Sequence, residues 1–258
     1  ARVCLRTPID TMGGFADHIT VHESLLSAVP DAVDDVTAAT LPLAGLTAWQ
    51  ALHDLGHVRP GQKVFINAGA GGVGTLAIQL AKLAGAHVAT AASPAGADLV
   101  TSLGADLVVN YRENDPGHVL AGYDLALDLL GGGHTVTAMR TLTQGGRVVS
   151  LSGPPEPTTE FGPRSAGPIL RTFLALGLLR TRSQARRHQV DYRYLFMRPD
   201  AAQLDHLLAL VADHQLTVPI AGTAPASQLD DLLAELQSGH AKGKFAVTWA
   251  KQADHGPR

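Results

Sequence analysis

The sequence lacks the features that mark disulfide-stapled, membrane-spanning or strongly charged proteins. It contains one cysteine, Cys4, among 258 residues, which excludes an internal disulfide and a multi-cysteine zinc site. No apolar run reaches the roughly 18–20 residues of a membrane span, and we expect no signal peptide from the residues at the start of this sequence. The formal net charge of −3 provides no long-range attraction to nucleic acid or to an anionic membrane. We therefore expect a soluble cytoplasmic protein with neither nucleic-acid nor membrane partners.

Short β-branched runs alternate with stretches of helical periodicity through the middle of the chain. Six strands are predicted, at residues 63–68, 87–92, 107–110, 125–130, 147–152 and 192–197. Helices are predicted between them, over residues 74–83, through Val100 and Leu103, and over about residues 135–142. This rhythm is typical of βαβ units. It predicts an α/β fold with a doubly wound parallel sheet of the Rossmann type.

The two ends of the chain have a different pattern from the middle. Short extended segments are predicted at residues 3–5, 15–21, 217–220 and 244–249, with an amphipathic helix over 228–237. We expect residues 1–40 and 217–258 to form a second, smaller β domain. Residues 41–216 are then the nucleotide-binding domain, inserted between its two parts.

A basic stretch, residues 180–188, follows an apolar stretch at residues 169–179 that is predicted to be helical. Charge runs of this kind are most often a solvated helix face or a lid. Phosphate binding is the alternative, and the arginines give no specific signal for it.

The pattern G-x-G-x-x-G occurs at residues 69–74, directly after the first predicted strand and before the first predicted helix. In that context Gly69 permits the tight turn, Gly71 lets the backbone approach a pyrophosphate, and Gly74 lets the helix pack near the strand. The helix N-terminus supplies amide donors and the positive end of its dipole. The motif therefore predicts a dinucleotide site, with a purely structural glycine turn as the alternative.

The end of the second predicted strand bears on the choice between NAD and NADP. NAD sites usually place an acidic residue about 20 residues after the glycine loop, where it binds the ribose 2′-hydroxyl. Here the strand runs into Ser93 and Gly96, and no acid occurs before Asp98. A carboxylate would repel a 2′-phosphate, whereas a serine hydroxyl and free amides accommodate one. We therefore expect NADP as the cofactor.

Other chemistry-bearing residues give weaker signals. His53 and His57 have a metal-like spacing, but Gly56 suggests that their helix ends there, so a capping or surface role is expected. Asp128 is expected to serve a turn. Four tyrosines are possible proton donors, and a packing role is expected for all but Tyr111: Tyr111, Tyr123, Tyr192 and Tyr194. We assign no catalytic residue and no metal ligand.

Several ordered motifs resemble the medium-chain dehydrogenase/reductase superfamily. They are LPLAGLTAW at residues 41–49, GQKV at 61–64, AGGVG at 70–74, LGAD at 103–106 with NY at 110–111, FMRP at 196–199 and SGHAKGK at 238–244. The closest branch is the zinc-free quinone oxidoreductase group, which is zeta-crystallin-like and to which polyketide enoyl reductases are related.

The resemblance implies a set of cofactor contacts. The pyrophosphate would meet Gly71, Gly72 and Val73. The adenosine phosphate would lie by Ser93 and Tyr111. The residues implied around the nicotinamide and its ribose, and closing the cleft, are Thr47, Leu129, Leu130, Gly131, Leu151, Ser152, Phe196, Met197 and Lys244. One departure is at residues 96–97 (Gly-Ala), where relatives often present Asn or Lys toward the phosphate.

The resemblance also implies the activity: hydride transfer from NADPH to a quinone or to an α,β-unsaturated carbonyl compound. Residues 2–21 resemble only the last part of the family's N-terminal GroES-like barrel, so we expect an incomplete second domain. Its exposed edge would favour a homodimer or a partner chain. Two alternatives stay open. One is a non-redox biosynthetic dehydratase or cyclase on the same fold, and the other is a non-catalytic NADP-binding partner protein.

Overall fold

The computed structural model describes residues 1–10, 12–156, 159–161, 164–165, 168–237 and 242–249. Residues 238–241 of the last motif, and residues 250–258 of the expected second domain, lie outside these ranges.

The six strands predicted for the middle of the chain are present, and the structure adds helices and short strands that were not predicted. The strands are β1 (Val3–Cys4), β2 (Ser27–Ala28), β3 (Lys63–Ile66), β4 (His87–Ala92), β5 (Leu107–Asn110), β6 (Tyr123–Asp128), β7 (Leu142–Ser150), β8 (Glu160–Phe161), β9 (Arg164–Ser165), β10 (Asp191–Tyr194), β11 (Ile220–Pro225) and β12 (Lys244–Thr248). The α-helices are α1 (Asp35–Trp49), α2 (Gly74–Leu83), α3 (Pro94–Ser102), α4 (Pro116–Val119), α5 (Gly133–Thr141), α6 (Pro168–His188), α7 (Ala201–Ala212) and α8 (Leu229–Gln237). A π-helical turn, Gln50–Leu55, extends α1.

Six strands form one parallel sheet in the order β10-β7-β6-β3-β4-β5. Within this sheet the chain enters at β3 and continues outward through β4 and β5. It then returns to the other side of β3 and forms β6, β7 and β10. The winding direction therefore reverses between β3 and β6. This arrangement confirms the predicted doubly wound α/β fold.

Two apolar clusters cover the two faces of the sheet. Side chains alternate along β3, so Val64 and Ile66 belong to one cluster and Phe65 to the other. Leu41 of α1 and Leu76 of α2 are fully buried in the first cluster. The helices of the second face contribute Met139 of α5 and Leu178 of α6. Burial on both faces explains why these strands have nearly continuous apolar sequences.

Four predicted strands extend too far at their carboxyl ends. Strands predicted to reach residues 68, 130, 152 and 197 end at Ile66, Asp128, Ser150 and Tyr194. After each of these residues the chain leaves the sheet and makes contacts with neighbouring loops. Apolar composition alone did not signal this change of direction.

The terminal segments form two small sheets. Strands β1 and β2 pair antiparallel, and β11 and β12 pair in parallel. Residues 15–21, predicted as extended, contain no strand. The division into two domains stays a prediction.

Helix α6 is longer than predicted. The expected helix over residues 169–179 continues through the basic stretch to His188, giving 21 residues. Among the described residues, no helix is both long and apolar enough to cross a membrane.

Helix α1 starts at a side-chain cap, which leads to a pH-dependent prediction. Asp34 accepts hydrogen bonds from the backbone N–H of Thr37 at 2.9 Å and from its hydroxyl at 2.7 Å. These bonds, led by the hydroxyl, lower the pKa of Asp34. We expect Asp34→Ala to lower the free energy of unfolding by about 1 kcal/mol at neutral pH.

A lowered pKa means that the cap stabilises the folded state above the ordinary carboxyl pKa and less as the pH falls through the folded value. The difference between Asp34→Ala and the wild type should therefore shrink in acid, as measured by urea unfolding from neutral pH down to pH ~3. The exposed Asp31 serves as the control, since Asp31→Ala should change little. An Asp34 effect independent of pH would contradict the capping account.

Candidate cofactor-binding site

The predicted site residues gather at one edge of the parallel sheet. The glycine loop follows β3, Ser93 follows β4, and Tyr111 follows β5. Residues 129–131 follow β6, residues 151–152 follow β7, and residues 196–197 lie just beyond β10. In open α/β sheets ligands bind at this carboxyl edge, where the strand order reverses. Here the reversal lies between β3 and β6.

Two glycines of the loop are required by packing. A Cβ at Gly69 would lie 2.0 Å from Oγ1 of Thr90, and a Cβ at Gly74 would lie 2.4 Å from the carbonyl oxygen of Ala68. Gly74 therefore has the close helix–strand packing that the sequence predicts. Gly69 lies in the turn after β3, but the positive φ of 53° belongs to Ala68, and what requires glycine at position 69 is the contact with Thr90.

Gly71 differs from the other glycines of the loop. A Cβ there would contact only the carbonyl oxygen of Ala68, at 3.3 Å. At the N-terminus of α2, Val73 supplies no side-chain cap. A helix start without a side-chain cap, preceded by a loop with room beside its backbone, is the arrangement that accepts a pyrophosphate.

The C-terminal segment closes over the same loop. Gly71 pairs with Gly243 in a parallel bridge, and the N–H of Gly243 donates to the carbonyl oxygen of Ala70 at 3.2 Å. A Cβ at Gly72 would lie 2.5 Å from Cδ of Lys244. Burial lowers the pKa of Lys244. The predicted site residues Gly72 and Lys244 are therefore in contact across 172 positions of sequence.

A buried carboxylate fixes the loops on the β6 side of the crevice. Asp128 is completely buried and accepts hydrogen bonds from five groups at 2.6–3.2 Å. The donors are the Asn67 amide, the backbone N–H groups of Leu130 and Gly131, and the hydroxyls of Thr135 and Ser150. The predicted turn role of Asp128 is confirmed, and the residue also ties the ends of β3, β6 and β7 together.

The loops after β6 and β7 also touch each other directly. Ser152 Oγ donates to the carbonyl oxygen of Leu129 at 3.0 Å. Gly131 has a φ of 73°, and a Cβ there would lie 2.3 Å from the carbonyl oxygen of Ser152. The structure therefore brings together the predicted residues at 129–131 and 151–152.

The turn after β4 packs on the glycine loop and receives a cation from the other end of the chain. A Cβ at Gly96 would lie 2.9 Å from Cβ of Ala70. Lys242 Nζ donates a hydrogen bond to the carbonyl oxygen of Ala95. The turn itself contains no basic residue, and the expectation of NADP rested on the missing acid, so Lys242 was missed as a site residue. Its distance in sequence from Ala95 gave no signal that they meet.

An open cleft of about 760 Å³ lies beside the loop after β7. Four of the predicted site residues line it: Thr47, Leu151, Phe196 and Met197. Thr47 is 6% exposed, and its hydroxyl donates to the carbonyl oxygen of Leu43 at 2.6 Å. Gln50 holds the wall of the cleft, because its amide exchanges hydrogen bonds with the backbone of Arg198 at 2.8 and 3.1 Å. Gln50 carried no motif in the sequence.

The tyrosine that lines this cleft is not the one that the sequence favoured as a proton donor. Tyr111 is 54% exposed at the end of β5 and does not line the cleft, whereas Tyr194 does. Burial raises the pKa of Tyr194, so its phenol stays protonated at neutral pH. Arg6 also lines the cleft, and its Nε is buried with no hydrogen-bond partner among the described residues. Burial lowers the pKa of Arg6.

The histidine pair has a local structural role. Nδ1 of His57 lies 3.0 Å from the carbonyl oxygen of His53, which matches the predicted capping. His53 stacks on Trp49, with ring centroids 4.1 Å apart.

Comparison with known proteins places the chain in a family. A family model described as zinc-binding dehydrogenase matches residues 103–247. The chain belongs to this family. Within the described part of the chain, no group of three or more His, Cys, Asp and Glu side chains lies close enough together to hold a metal ion. These residues therefore do not fit a zinc ion with its usual three or four protein ligands.

Relatives of this chain match most of its length. It is 30% identical over 247 residues to the mitochondrial NAD(P)H oxidoreductase RTN4IP1 of Mus musculus, covering 91% of this chain and 61% of that protein. The quinone oxidoreductase structure from Coxiella burnetii matches with a TM-score of 0.74 and 29% identity, covering 90% and 68% of the two chains. The CurK enoyl reductase structure matches with a TM-score of 0.72 and 26% identity, covering 90% and 68%. The chain spans about 61% of the length of the RTN4IP1 relatives.

The Asp128 network predicts a large loss of stability when the carboxylate is removed. Asp128→Ala removes the acceptor of four buried donors and of the partly buried N–H of Leu130, and each orphaned buried donor costs about 1–3 kcal/mol. Since some donors find water or new partners, we expect a net loss of at least about 3 kcal/mol in chemical unfolding. Asp124→Ala is the matched control, because Asp124 accepts at the exposed start of the sheet from the N–H of Lys63. Equal losses for the two variants would contradict the network's special role.

Proposed function

We propose that this chain is an NADPH-dependent oxidoreductase that transfers hydride to a quinone or an α,β-unsaturated carbonyl compound. The observation that carries the proposal is Gly71, at the mouth of the β3–β6 crevice, where an added Cβ would meet no side chain and only the carbonyl oxygen of Ala68, at 3.3 Å. The names of three relatives support the reaction class: an NAD(P)H oxidoreductase, a quinone oxidoreductase and an enoyl reductase.

The residues at the crevice fit a dinucleotide. The backbone of residues 71–73 and the start of α2 bind the pyrophosphate, and the loops at 129–131 and 151–152 hold the nicotinamide ribose. Thr47, Phe196 and Met197 line the cleft where the nicotinamide ring meets the acceptor. When bound, the nicotinamide supplies the hydride.

Lys242 favours the phosphorylated form of the cofactor. The turn after β4 holds Ser93 and no carboxylate before the exposed Asp98, so nothing there repels a 2′-phosphate. Lys242 places an ammonium group on this turn, at the carbonyl oxygen of Ala95. A compact point charge of this kind pairs well with phosphate.

Two polar groups in the cleft suit a carbonyl acceptor. Arg6 has a buried Nε with no hydrogen-bond partner among the described residues, and a guanidinium stabilises the negative charge that develops on the acceptor oxygen. Tyr194 keeps its proton at neutral pH and lines the same cleft. The surrounding Leu43, Leu151 and Met197 exclude water from the apolar part of the acceptor.

The function is tested by titrating the purified chain with NADPH and then following NADPH oxidation over a panel of quinones and enones. Gly71→Ala should lose less stability than Gly69→Ala, since its Cβ would lie 3.3 Å from the Ala68 carbonyl oxygen rather than 2.0 Å from the Thr90 hydroxyl. It should bind NADPH at least tenfold more weakly, since its new methyl group occupies the pyrophosphate position (about 1.4 kcal/mol or more). Gly69→Ala should lose stability even without cofactor, because its methyl group would overlap the Thr90 hydroxyl.

Unchanged NADPH affinity in Gly71→Ala would contradict the proposed site. Tight binding without turnover of any acceptor would instead support the non-catalytic NADP-binding alternative. Turnover of a substrate with no NADPH oxidation would support a non-redox enzyme.

Cofactor selection is tested separately at Lys242. Lys242→Ala should weaken NADPH binding by about tenfold while changing NADH binding less than about twofold, since only the former cofactor carries the 2′-phosphate. Isothermal titration of both cofactors gives the ratio. The exposed Lys63 provides the control, because Lys63→Ala leaves the turn after β4 untouched. A parallel loss for both cofactors would show that Lys242 acts on the loop rather than on the phosphate.

A further inference from the structure

We propose that the outward face of α6 is a docking surface for a bilayer that carries anionic phospholipid. The face joins an exposed apolar half to an exposed basic half on one helix, and it takes no part in the cofactor site described above. The net charge of −3 predicted no membrane partner, but a net charge does not reveal how charge is distributed along the chain.

The apolar half consists of Phe173, Leu176 and Leu179. Their exposed fractions are 67%, 58% and 59%, and their spacing of three residues keeps them close together on the helix surface. The opposite side of α6 is anchored, because Leu178 is completely buried and Ala185 is 6% exposed. Both belong to the apolar cluster that α5 and β10 share with the sheet. The exposed side chains are therefore held outward by a fixed helix.

The basic half consists of Arg180, Arg182, Arg186 and Arg187, all exposed. Within the described part of the chain, none of the four belongs to an ion pair. No acidic residue occurs from position 161 to position 190, although the whole sequence has 23 acids and 20 bases. On the neighbouring α5, Arg140 is already paired with Asp115 at 3.1 Å. The positive charge of α6 is therefore free to meet an external anion.

The combination favours a lipid surface over a protein. Interfacial helices insert their apolar side chains at the boundary between headgroups and acyl chains, while their basic residues bind headgroup phosphates. A second copy of this chain is disfavoured, because an antiparallel twofold contact of this face would place the arginines of each helix over the apolar half of its partner and bury them without an anion. An acidic protein would use the arginines but would give less reason for three large exposed apolar side chains.

The test is sedimentation of the full chain with vesicles of pure phosphatidylcholine and with vesicles of equimolar phosphatidylcholine and phosphatidylglycerol. We expect binding only to the anionic vesicles, weakened by added salt. Arg182→Gln/Arg186→Gln/Arg187→Gln should bind on the order of 100-fold more weakly. Phe173→Ser/Leu176→Ser should bind at least about tenfold more weakly.

The substituted side chains are exposed, so both variants should keep the wild-type circular dichroism spectrum and NADPH affinity. The control is Leu83→Ser/Arg59→Gln, which alters an exposed leucine of α2 and an exposed loop arginine and should bind vesicles like the wild type. The proposal is overturned if no vesicle binding occurs or if both α6 variants bind as the wild type does. It is also overturned if Phe173→Ser/Leu176→Ser converts a dimer to a monomer in light scattering, because the face would then belong to a second copy. If the wild type binds anionic vesicles but does not bind NADPH, the result contradicts the proposed function and leaves the docking surface supported.

Discussion

The geometry of the crevice depends on one buried carboxylate. Asp128 lies at the end of β6, beside the point where the sheet reverses its winding, and is reached by donors from the ends of β3 and β7 as well as from its own loop. A buried charge is tolerated only when its lone pairs are occupied, and here five donors occupy them. These donors lie at or just beyond the ends of three strands, β3, β6 and β7. The hydrogen bonds that stabilise the buried charge therefore also set the relative positions of the loops that follow these strands.

Asn67 extends this constraint across the reversal point. Its amide nitrogen donates to Asp128 at 2.9 Å, and its amide oxygen accepts from the N–H of Leu129 at 2.7 Å. The Asn67 side chain thus joins β3, which leads into the glycine loop, to the loop after β6 on the other side of the crevice. The two sides of the crevice are held at a fixed separation before any ligand is bound, which reduces the ordering cost of binding.

The sequence was sufficient to predict the parallel sheet, because two buried faces leave an apolar signature in each strand. The sequence was insufficient to predict where the strands end. Asp128 and Ser150 end their strands through polar contacts with residues distant in sequence, which the apolar pattern does not indicate. The roles of Lys242 and Gln50 were not predicted for the same reason, since each donates a hydrogen bond to a backbone carbonyl that lies far along the chain. The site residues named from family resemblance do converge on one edge of the sheet, although Tyr111 lies outside the cleft and Tyr194 lies within it.

The glycine motif shows how much of a functional signature is structural. A Cβ at Gly69 or Gly74 would overlap Thr90 or the backbone of Ala68, so these two glycines would be needed even if nothing were bound. The short contact at Gly72 is with Cδ of Lys244, which belongs to a flexible side chain. Gly71 is the least constrained of the four, because its Cβ would meet only the carbonyl oxygen of Ala68, at 3.3 Å, which would have to shift by a few tenths of an ångström. Under the proposed function, the close approach of a dinucleotide pyrophosphate to the backbone gives a further reason for glycine at this position. Packing thus accounts for Gly69 and Gly74 by itself, and the motif indicates function most at Gly71.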